Sequence, residues 1–318
     1  MSTSTVNIKH ATLSLVSIII FYVCVLLIID VKKNIFSEIS TVVEFLPVAM
    51  TISLLSYVFR YLRWHWLLKR SVNHVPAWPG FLAYLSGFAL TATPGKIGEL
   101  LRIRYFARLG VRHQLVISAF IYERTFDLIV VLSIALLAAV HLGASLLISS
   151  FVLLVITAVF LFYKNPSWLG FIAVKLRSHH FRKPSKIVKA LRDGIQGIHP
   201  WFNPLDVFVS FALGLIAWLL ATYAFVWLLN NLGLDIPALS AIAIYPISML
   251  IGAASMLPGG VGSTEAAIVV LLAAFDTPLT IATVAAIGIR ISSLWFSIIC
   301  GLLAMLILEY KNTCNTHR

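Results

Sequence analysis

Charged residues and cysteines are scarce in this 318-residue chain, and each scarcity excludes a class of protein. Only 11% of the residues are charged and 60% are hydrophobic, which is more apolar surface than a soluble domain of this length buries. The three cysteines, Cys24, Cys300 and Cys314, have no paired spacing and no histidine partners, so neither a disulfide framework nor a zinc site is expected. The composition predicts an all-α, polytopic membrane protein.

Acidic residues are half as numerous as basic ones, 12 against 24, and the formal net charge is +12. The basic residues cluster at helix edges and in one loop, which is the distribution that membrane topology produces, so no nucleic-acid partner is expected. The sequence also contains no nucleophile–base pair, metal-ligand cluster or nucleotide-binding loop. We therefore predict no enzymatic activity, no cofactor and no metal site.

Apolar runs long enough to cross a bilayer occur six times. They are Ala11–Ile29, Val43–Leu67, Leu115–Val140, Ala144–Tyr163, Val207–Leu229 and Leu279–Leu308. Two further apolar stretches are broken in the middle by a Pro-Gly pair. Their halves are Phe81–Thr93 with Leu100–Leu109, and Leu239–Leu257 with Ala266–Phe275. Because each half is short for a crossing, each pair predicts a re-entrant hairpin.

The positions of the basic residues predict the orientation of these segments. Nineteen of them fall on one side and only Lys32 and Lys33 on the other, while Lys96, Arg124 and Arg290 fall inside the membrane. The nineteen are Lys9, Arg60, Arg63, Lys69, Arg70, Arg102, Arg104, Arg108, Arg112, the eight of residues 164–192, Lys311 and Arg318. This split predicts that both termini are cytoplasmic.

The two broken stretches belong to an internal repeat. Tryptophan and proline markers recur ten residues apart in both copies, at Trp66 and Pro76 and at Trp227 and Pro237. The repeat units cover about 43–140 and 207–310 of a single membrane domain, 1–318. The predicted topology makes them inverted, and inverted repeats place a binding site near the middle of the membrane.

The residues of the repeat that are candidates for ligand binding lie in its Pro-Gly turns. The first copy has Pro94, Gly95 and Gly98 followed by Glu99, and the second has Pro258, Gly259, Gly260 and Gly262 followed by Glu265. Proline ends the entering half-helix, and the N-terminus of the returning half-helix is suited to an anion. Ser263 and Thr264 stand where its N-cap belongs. The alternative is that the glycines only let helices pack closely.

Each glutamate has an arginine 25 residues later, Arg124 for Glu99 and Arg290 for Glu265. Both arginines fall near mid-depth, where a charge needs a partner or a cavity. Glu99 and Glu265 are the expected cross-segment partners, and Asp127 adds a carboxylate one turn after Arg124. Two interpretations stay open: buried ion pairs that hold each hairpin in place, or arginines that alternate between these carboxylates and an anionic headgroup.

The segment 164–204 is the only sizeable polar connector, and its centre, Ser178–Lys186, is basic and interrupted by proline. It is interpreted either as a topology signal lying on anionic headgroups or as a docking site for a cytoplasmic enzyme. Its two adjacent histidines lack acidic or cysteine neighbours, so no metal site is expected there.

The stretch from Thr93 through Arg124, and Leu257–Glu265 with the distant Arg290, resemble the flippase-like membrane domain of the lysylphosphatidylglycerol synthase family, which includes the proteins grouped as UPF0104. The resemblance covers essentially the whole chain. It implies that a lipid with a polar headgroup is flipped across the bilayer or presented to an enzyme, in a cavity lined by the motif residues. The full-length synthases also carry a soluble aminoacyl-transferase domain, and this chain stops at Arg318, so synthesis of the lysyl lipid is not expected of it alone.

Two functions are therefore expected from the sequence. The first is binding or translocation of a membrane lipid with a phosphate headgroup, either a phospholipid or a polyprenyl-phosphate-linked carrier. The second is a non-transporting membrane partner, which scaffolds a lipid-modifying enzyme or a glycosyltransferase through the basic segment 164–204.

Overall fold

A computed structural model describes residues 42–72, 74–139 and 182–316, together with positions 150, 154, 157, 171, 174 and 175. The described residues are mostly helical and include no β-strand, which confirms the all-α prediction. The α-helices are α1 (Leu46–Lys69), α2 (Ala77–Ser86), α3 (Arg102–Arg108), α4 (His113–Ala139), α5 (Arg182–Gln196), α6 (Pro204–Asn231), α7 (Ala238–Ala254), α8 (Ser263–Ala273), α9 (Leu279–Arg290) and α10 (Phe296–Thr316).

Two helical stretches among the described residues are long and apolar enough to cross a membrane, Pro204–Asn231 and Leu279–Asn312. The second comprises α9, the π-helical turn Ile291–Trp295 and most of α10. The predicted span Ala11–Ile29 lies outside the described residues, as does Ala144–Tyr163 except for three positions. The count of six spans and the inverted repeat stay predictions.

The two interrupted stretches are helix–turn–helix segments. In the first, α2 is followed by the 3₁₀ turns Gly87–Leu90 and Pro94–Leu101 and then by α3. In the second, α7 ends at Ala254, and the 3₁₀ turn Pro258–Gly260 leads into α8. Pro94 and Pro258 each stand at the start of a 3₁₀ turn after the break, a position where the missing N–H of proline is tolerated. The re-entrant depth of these segments stays a prediction.

The chain forms two compact units, which do not coincide with the predicted repeats. Unit one comprises those of the described residues that fall within 1–58, 81–102 and 217–318, so both Pro-Gly turns belong to it. Within it, α10 packs on the turn Gly87–Leu90, because a Cβ on Gly301 would lie only 2.2 Å from the backbone nitrogen of Ala89. The missing side chain is what permits two backbones to approach so closely.

Unit two comprises those of the described residues that fall within 59–80 and 103–216. The part of the segment 164–204 that was predicted as a loop contains a helix, α5, which packs along α4. The Ser118 hydroxyl donates to the Gly194 carbonyl at 2.8 Å, and a Cβ on Gly194 would meet Ile117 at 2.7 Å. Pro184 did not prevent this helix because it lies in the first turn, where no helical N–H is lost.

The start of α6 shows how local chemistry positions a helix in unit two. The Asn203 side chain accepts the Asp206 N–H at 2.9 Å, which caps the helix, and Pro204 takes the first helical position. Asp206 is fully buried and accepts the indole N–H of Trp66 at 2.7 Å. This hydrogen bond joins α1 to α6 across 140 residues of sequence.

Candidate functional site: two ion-paired turns and an arginine cluster

The first Pro-Gly turn in unit one is tightly hydrogen-bonded. The N–H of Gly98 donates to the Thr93 hydroxyl at 2.7 Å, and that hydroxyl donates to the Leu90 carbonyl at 2.9 Å. A Cβ on Gly98 would lie 2.4 Å from the same carbonyl oxygen, so this position requires glycine. Lys96 adopts a left-handed conformation with φ of 56°. The turn formed by Pro94, Gly95 and these residues is thus held by the Thr93 hydroxyl and by the close approach of two backbones at Gly98.

Glu99 follows this turn and is buried, with a relative exposure of 1%. Its carboxylate accepts a hydrogen bond from the Thr91 hydroxyl at 2.9 Å and pairs with Arg102 at 2.8 Å. The Arg102 guanidinium lies 4.5 Å from the centre of the Tyr84 ring, an arrangement typical of a cation–π contact. Arg102 was predicted to lie on the cytoplasmic side, which stays a prediction, and the sequence did not foresee its buried pairing with Glu99.

The second Pro-Gly turn depends on left-handed backbone conformations. Gly259, Gly260 and Gly262 have φ values of 63°, 64° and 83°, which glycine adopts without steric cost. Gly262, rather than Ser263 or Thr264, is the N-cap of α8. The Glu265 carboxylate accepts the Gly262 N–H at 2.9 Å, so an acidic side chain occupies the positive end of this helix.

Arg290 holds this second turn from α9. Its Nε donates to Glu265 at 3.0 Å and its Nη2 donates to the carbonyl of Gly259 at 2.5 Å. Arg290 is 1% exposed, whereas the Glu265 side chain is 14% exposed. The pairing of Glu265 with Arg290, 25 residues apart, was predicted from the sequence and is confirmed as an ion pair.

The two turns lie side by side within unit one. A Cβ on Gly259 would come within 3.3 Å of the Cα of Ala92, which directly precedes the first turn. The same Cβ would lie 3.4 Å from Leu294, in the π-helical turn that follows Arg290. Such π turns are frequent near functional sites, because the extra residue re-aims the side chains around it. The second turn is therefore packed directly against the chain that leads into the first.

Unit two holds a separate cluster of charges on α1 and α4. Asp127 pairs with Arg60 at 2.8 Å, with Arg63 at 2.8 Å and with Arg124 at 3.6 Å. Glu123 is fully buried, pairs with Arg63 at 3.4 Å and Arg124 at 3.2 Å, and accepts an indole hydrogen bond from Trp64. Arg124, expected to pair with Glu99, thus has these two carboxylates of its own helix as partners.

Arg60 and Arg63 were predicted to lie on the cytoplasmic side, which stays a prediction, and the sequence did not foresee that both pair with Asp127. Their side chains are 12% and 0% exposed and point into the cluster. The sequence did contain a sign of this pairing. Two arginines three residues apart in a largely apolar segment occupy the same helix face, where a shared acidic partner is expected. The same i, i+3 spacing joins Glu99 to Arg102.

The predicted site residues therefore divide between the two units. Pro94, Gly95, Gly98, Glu99, Pro258, Gly259, Gly260, Gly262, Glu265 and Arg290 are in unit one, and Arg124 and Asp127 are in unit two. The juxtaposition of Arg124 with Arg290 at one central site stays a prediction.

Broken apolar helices, arginines buried with carboxylates and helices long enough to cross a bilayer define a helical membrane protein. Comparison with known sequences gives the family. Residues 14–301 match the lysylphosphatidylglycerol synthase TM region, and the chain belongs to that family. The earlier resemblance is thereby confirmed.

Two archaeal relatives agree with this assignment. The chain is 22% identical over 325 residues to a UPF0104 membrane protein of Methanocaldococcus jannaschii, and the match covers 96% of each chain. It is 28% identical over 193 residues to a UPF0104 membrane protein of Methanothermobacter thermautotrophicus, covering 56% of this chain and 58% of that one. No solved structure matches the chain.

Proposed function

We propose that this protein binds the phosphate-bearing headgroup of a membrane lipid and moves it across the plasma membrane of a prokaryote. The observation that carries the proposal is the position of the Glu265 carboxylate. It accepts both the N–H of Gly262, at the start of α8, and the Nε–H of Arg290. A helix N-terminus and a guanidinium are the donors that phosphate oxygens bind in other proteins.

In this proposal the lipid phosphate and Glu265 compete for the same donors. Glu265 is the more exposed partner of the pair, so it can swing out while Arg290 stays in place. Arg290 also donates a hydrogen bond to the Gly259 carbonyl. A change of partner at its guanidinium would therefore act directly on a contact of the turn. Lipid arrival and departure would then alternate with opening and closing of the second hairpin.

The first turn has a different role in the proposal. Glu99 and Arg102 are both buried, and Glu99 is also held by Thr91. Exchange of a partner there would leave a charge in an apolar interior, which is costly. We assign the Glu99–Arg102 pair to fixing the first hairpin, against which the second one moves.

The topology that accompanies this function has about six full spans, two re-entrant hairpins in an inverted repeat, and both termini in the cytoplasm. Three of the nineteen charges counted on the cytoplasmic side, Arg60, Arg63 and Arg102, also form ion pairs within the protein. The remaining bias toward that side still supports the orientation. A lipid with acyl or prenyl chains would keep those chains in the bilayer while its headgroup crosses.

Reconstituted vesicles test the proposal. Fluorescent phosphatidylglycerol in the outer leaflet is quenched by an impermeant reductant, and the rate at which protected lipid appears reports translocation. Glu265→Gln and Arg290→Lys should each slow this rate by about tenfold or more. Each variant weakens the charged hydrogen bond between positions 265 and 290, for which the lipid phosphate is proposed to compete. Glu44→Gln, an exposed carboxylate of the same unit, should leave the rate unchanged.

Thermal unfolding in detergent shows whether each variant is folded before the rates are compared. Full translocation by both folded variants would make this ion pair structural. Absence of translocation by the folded wild-type protein, with every lipid tried, would favour the scaffold function through the segment 164–204.

A further inference from the structure

Helix α5 of unit two exposes a basic side chain and an apolar side chain on opposite faces. It contains five basic residues and one acidic residue, Asp193. Lys189 is exposed and Leu191 is 40% exposed, and two positions along an α-helix differ in direction by about 200°. A helix on a water-facing protein surface buries its apolar face against the core. An exposed leucine opposite an exposed lysine is instead typical of a helix that lies between lipid and water.

The C-terminal part of α5 is anchored to the first turns of α4. The Gln114 side chain donates to the Asp193 carbonyl at 3.0 Å, and the Ser118 hydroxyl donates to the Gly194 carbonyl at 2.8 Å. Ile195 is buried at this contact end of α5. Because α4 begins at residue 113, α5 lies at the end of unit two where α4 begins.

Helix α6 begins at the same end of unit two. Tyr122 of α4 donates to the Trp201 carbonyl at 3.2 Å, and its ring lies 6.0 Å from the Phe202 ring, so the connector from α5 to α6 is packed on α4. Helix α6 is long and apolar enough to cross a membrane, and its first turns expose Leu205 and Phe208. Acyl chains are the surroundings that such side chains require in a spanning helix. The bilayer surface is therefore expected beside the start of α6, which is where α5 lies.

The same end of unit two is basic. Arg70, which follows α1, is 45% exposed and its Nε lies 3.3 Å from Asp206 in the first turn of α6. Lys69 and Arg112, at the end of α1 and just before α4, are also exposed. In the described part of unit two, Asp193 is the only acidic residue that is not buried. A surface of this charge attracts anionic headgroups.

We propose that α5 is an interfacial helix that binds the surface of an anionic lipid bilayer, with Leu191 among the acyl chains and Lys189 at the lipid phosphates. A bilayer fits this face better than an acidic protein does, because the adjoining start of α6 already requires lipid at the same level. The helix would enrich anionic lipid around unit two. The inference goes beyond the proposed function, because it requires no translocation and uses no residue of the Pro-Gly turns.

Lipid-quenching fluorescence on the full-length protein in nanodiscs tests the position of α5. Cys24, Cys300 and Cys314 are replaced by serine, and a fluorescent probe is attached at Leu191→Cys or, in a second protein, at Lys189→Cys. Lipids brominated on their acyl chains should quench the probe at position 191 at least about threefold more than the probe at position 189. Quenching of neither probe would overturn the proposal and favour an acidic protein partner. Equal quenching of both would overturn the orientation on which it depends.

The lipid class is tested in nanodiscs that contain equal amounts of phosphatidylglycerol and phosphatidylcholine, with bromine on one lipid or the other. Brominated phosphatidylglycerol should quench the probe at position 191 about threefold more than brominated phosphatidylcholine, and added salt should reduce this preference. Changing the three lysines of α5 together, Lys183→Gln, Lys186→Gln and Lys189→Gln, should abolish the preference. Changing the same three to arginine should preserve it, as should Lys311→Gln, which removes an exposed lysine of α10.

Equal quenching by the two lipids in the wild-type background, or an unchanged preference in the triple glutamine variant, would overturn the proposal. Thermal unfolding of the glutamine and arginine variants shows that both are folded before their preferences are compared. Glu265→Gln should leave the preference intact, so failure of the translocation proposal and failure of this one are distinguishable.

Discussion

Removal of Arg102 gives the most direct test of the buried ion pair in the first turn. Arg102→Met keeps most of the side-chain volume but leaves the Glu99 carboxylate 1% exposed, with the Thr91 hydroxyl still donating to it. Loss of one partner of a buried pair costs about 3–5 kcal/mol, because the remaining charge stays desolvated. The contact of the guanidinium with the Tyr84 ring at 4.5 Å adds to this cost.

A double-mutant cycle isolates the pair itself. Glu99→Gln combined with Arg102→Met removes both charges, so the double variant should recover at least about 2 kcal/mol relative to the sum of the single losses. The assay is reversible unfolding in mixed micelles, followed by tryptophan fluorescence as the fraction of denaturing detergent rises. Arg104→Met, an exposed arginine on the same helix α3, is the matched control and should cost less than about 0.5 kcal/mol. A loss below about 1 kcal/mol for Arg102→Met, or coupling near zero, would refute the reasoning.

Three further predictions follow from single contacts. Gly301→Ala should lower the free energy of unfolding by about 1–3 kcal/mol, because its Cβ would lie 2.2 Å from the Ala89 nitrogen; unchanged stability in the same micelle assay would contradict this packing. Asp206→Ala should cost about 1–3 kcal/mol, since it removes the acceptor of the part-buried Trp66 indole N–H on α1 and of the Asn203 amide at the cap of α6, and a loss within error would argue for solvent access. In cysteine-substituted protein, impermeant reagents should label position 183 only from the cytoplasm and the loop 230–235 only from outside; labelling of Lys183→Cys from outside would overturn the predicted topology.

The charged residues divide into those whose ion-pair partners sequence reasoning located and those whose partners it missed. It located the second turn well, because Gly262 through Arg290 form a nearly local unit of one turn and two helices. It missed the partners of Arg60, Arg63 and Arg102, because a basic residue near the end of an apolar run has the same signature whether it faces headgroups or a carboxylate. The i, i+3 spacing of Arg60 with Arg63, and of Glu99 with Arg102, indicated that each pair shares a helix face. A count of basic residues on each side of the membrane does not take this spacing into account.

The sequence by itself determined the class of protein, its helical character and the places where helices break. These properties depend on composition and on the local stereochemistry of proline and glycine, which neighbouring residues suffice to fix. It also indicated the pairing of Glu265 with Arg290, although the same repeat marked Glu99 and Arg124, and Glu99 pairs with Arg102.

Only the tertiary structure decided which helix faces meet. It placed Trp66 on Asp206 across 140 residues, folded α5 onto α4, and left one edge of Arg63 against Gly214. The physical reason is that a buried charge needs a partner of opposite sign at about 3 Å but not at any set distance along the chain. The sequence offers several carboxylates as partners for each arginine, and the packing of the helices decides which of them lies within reach.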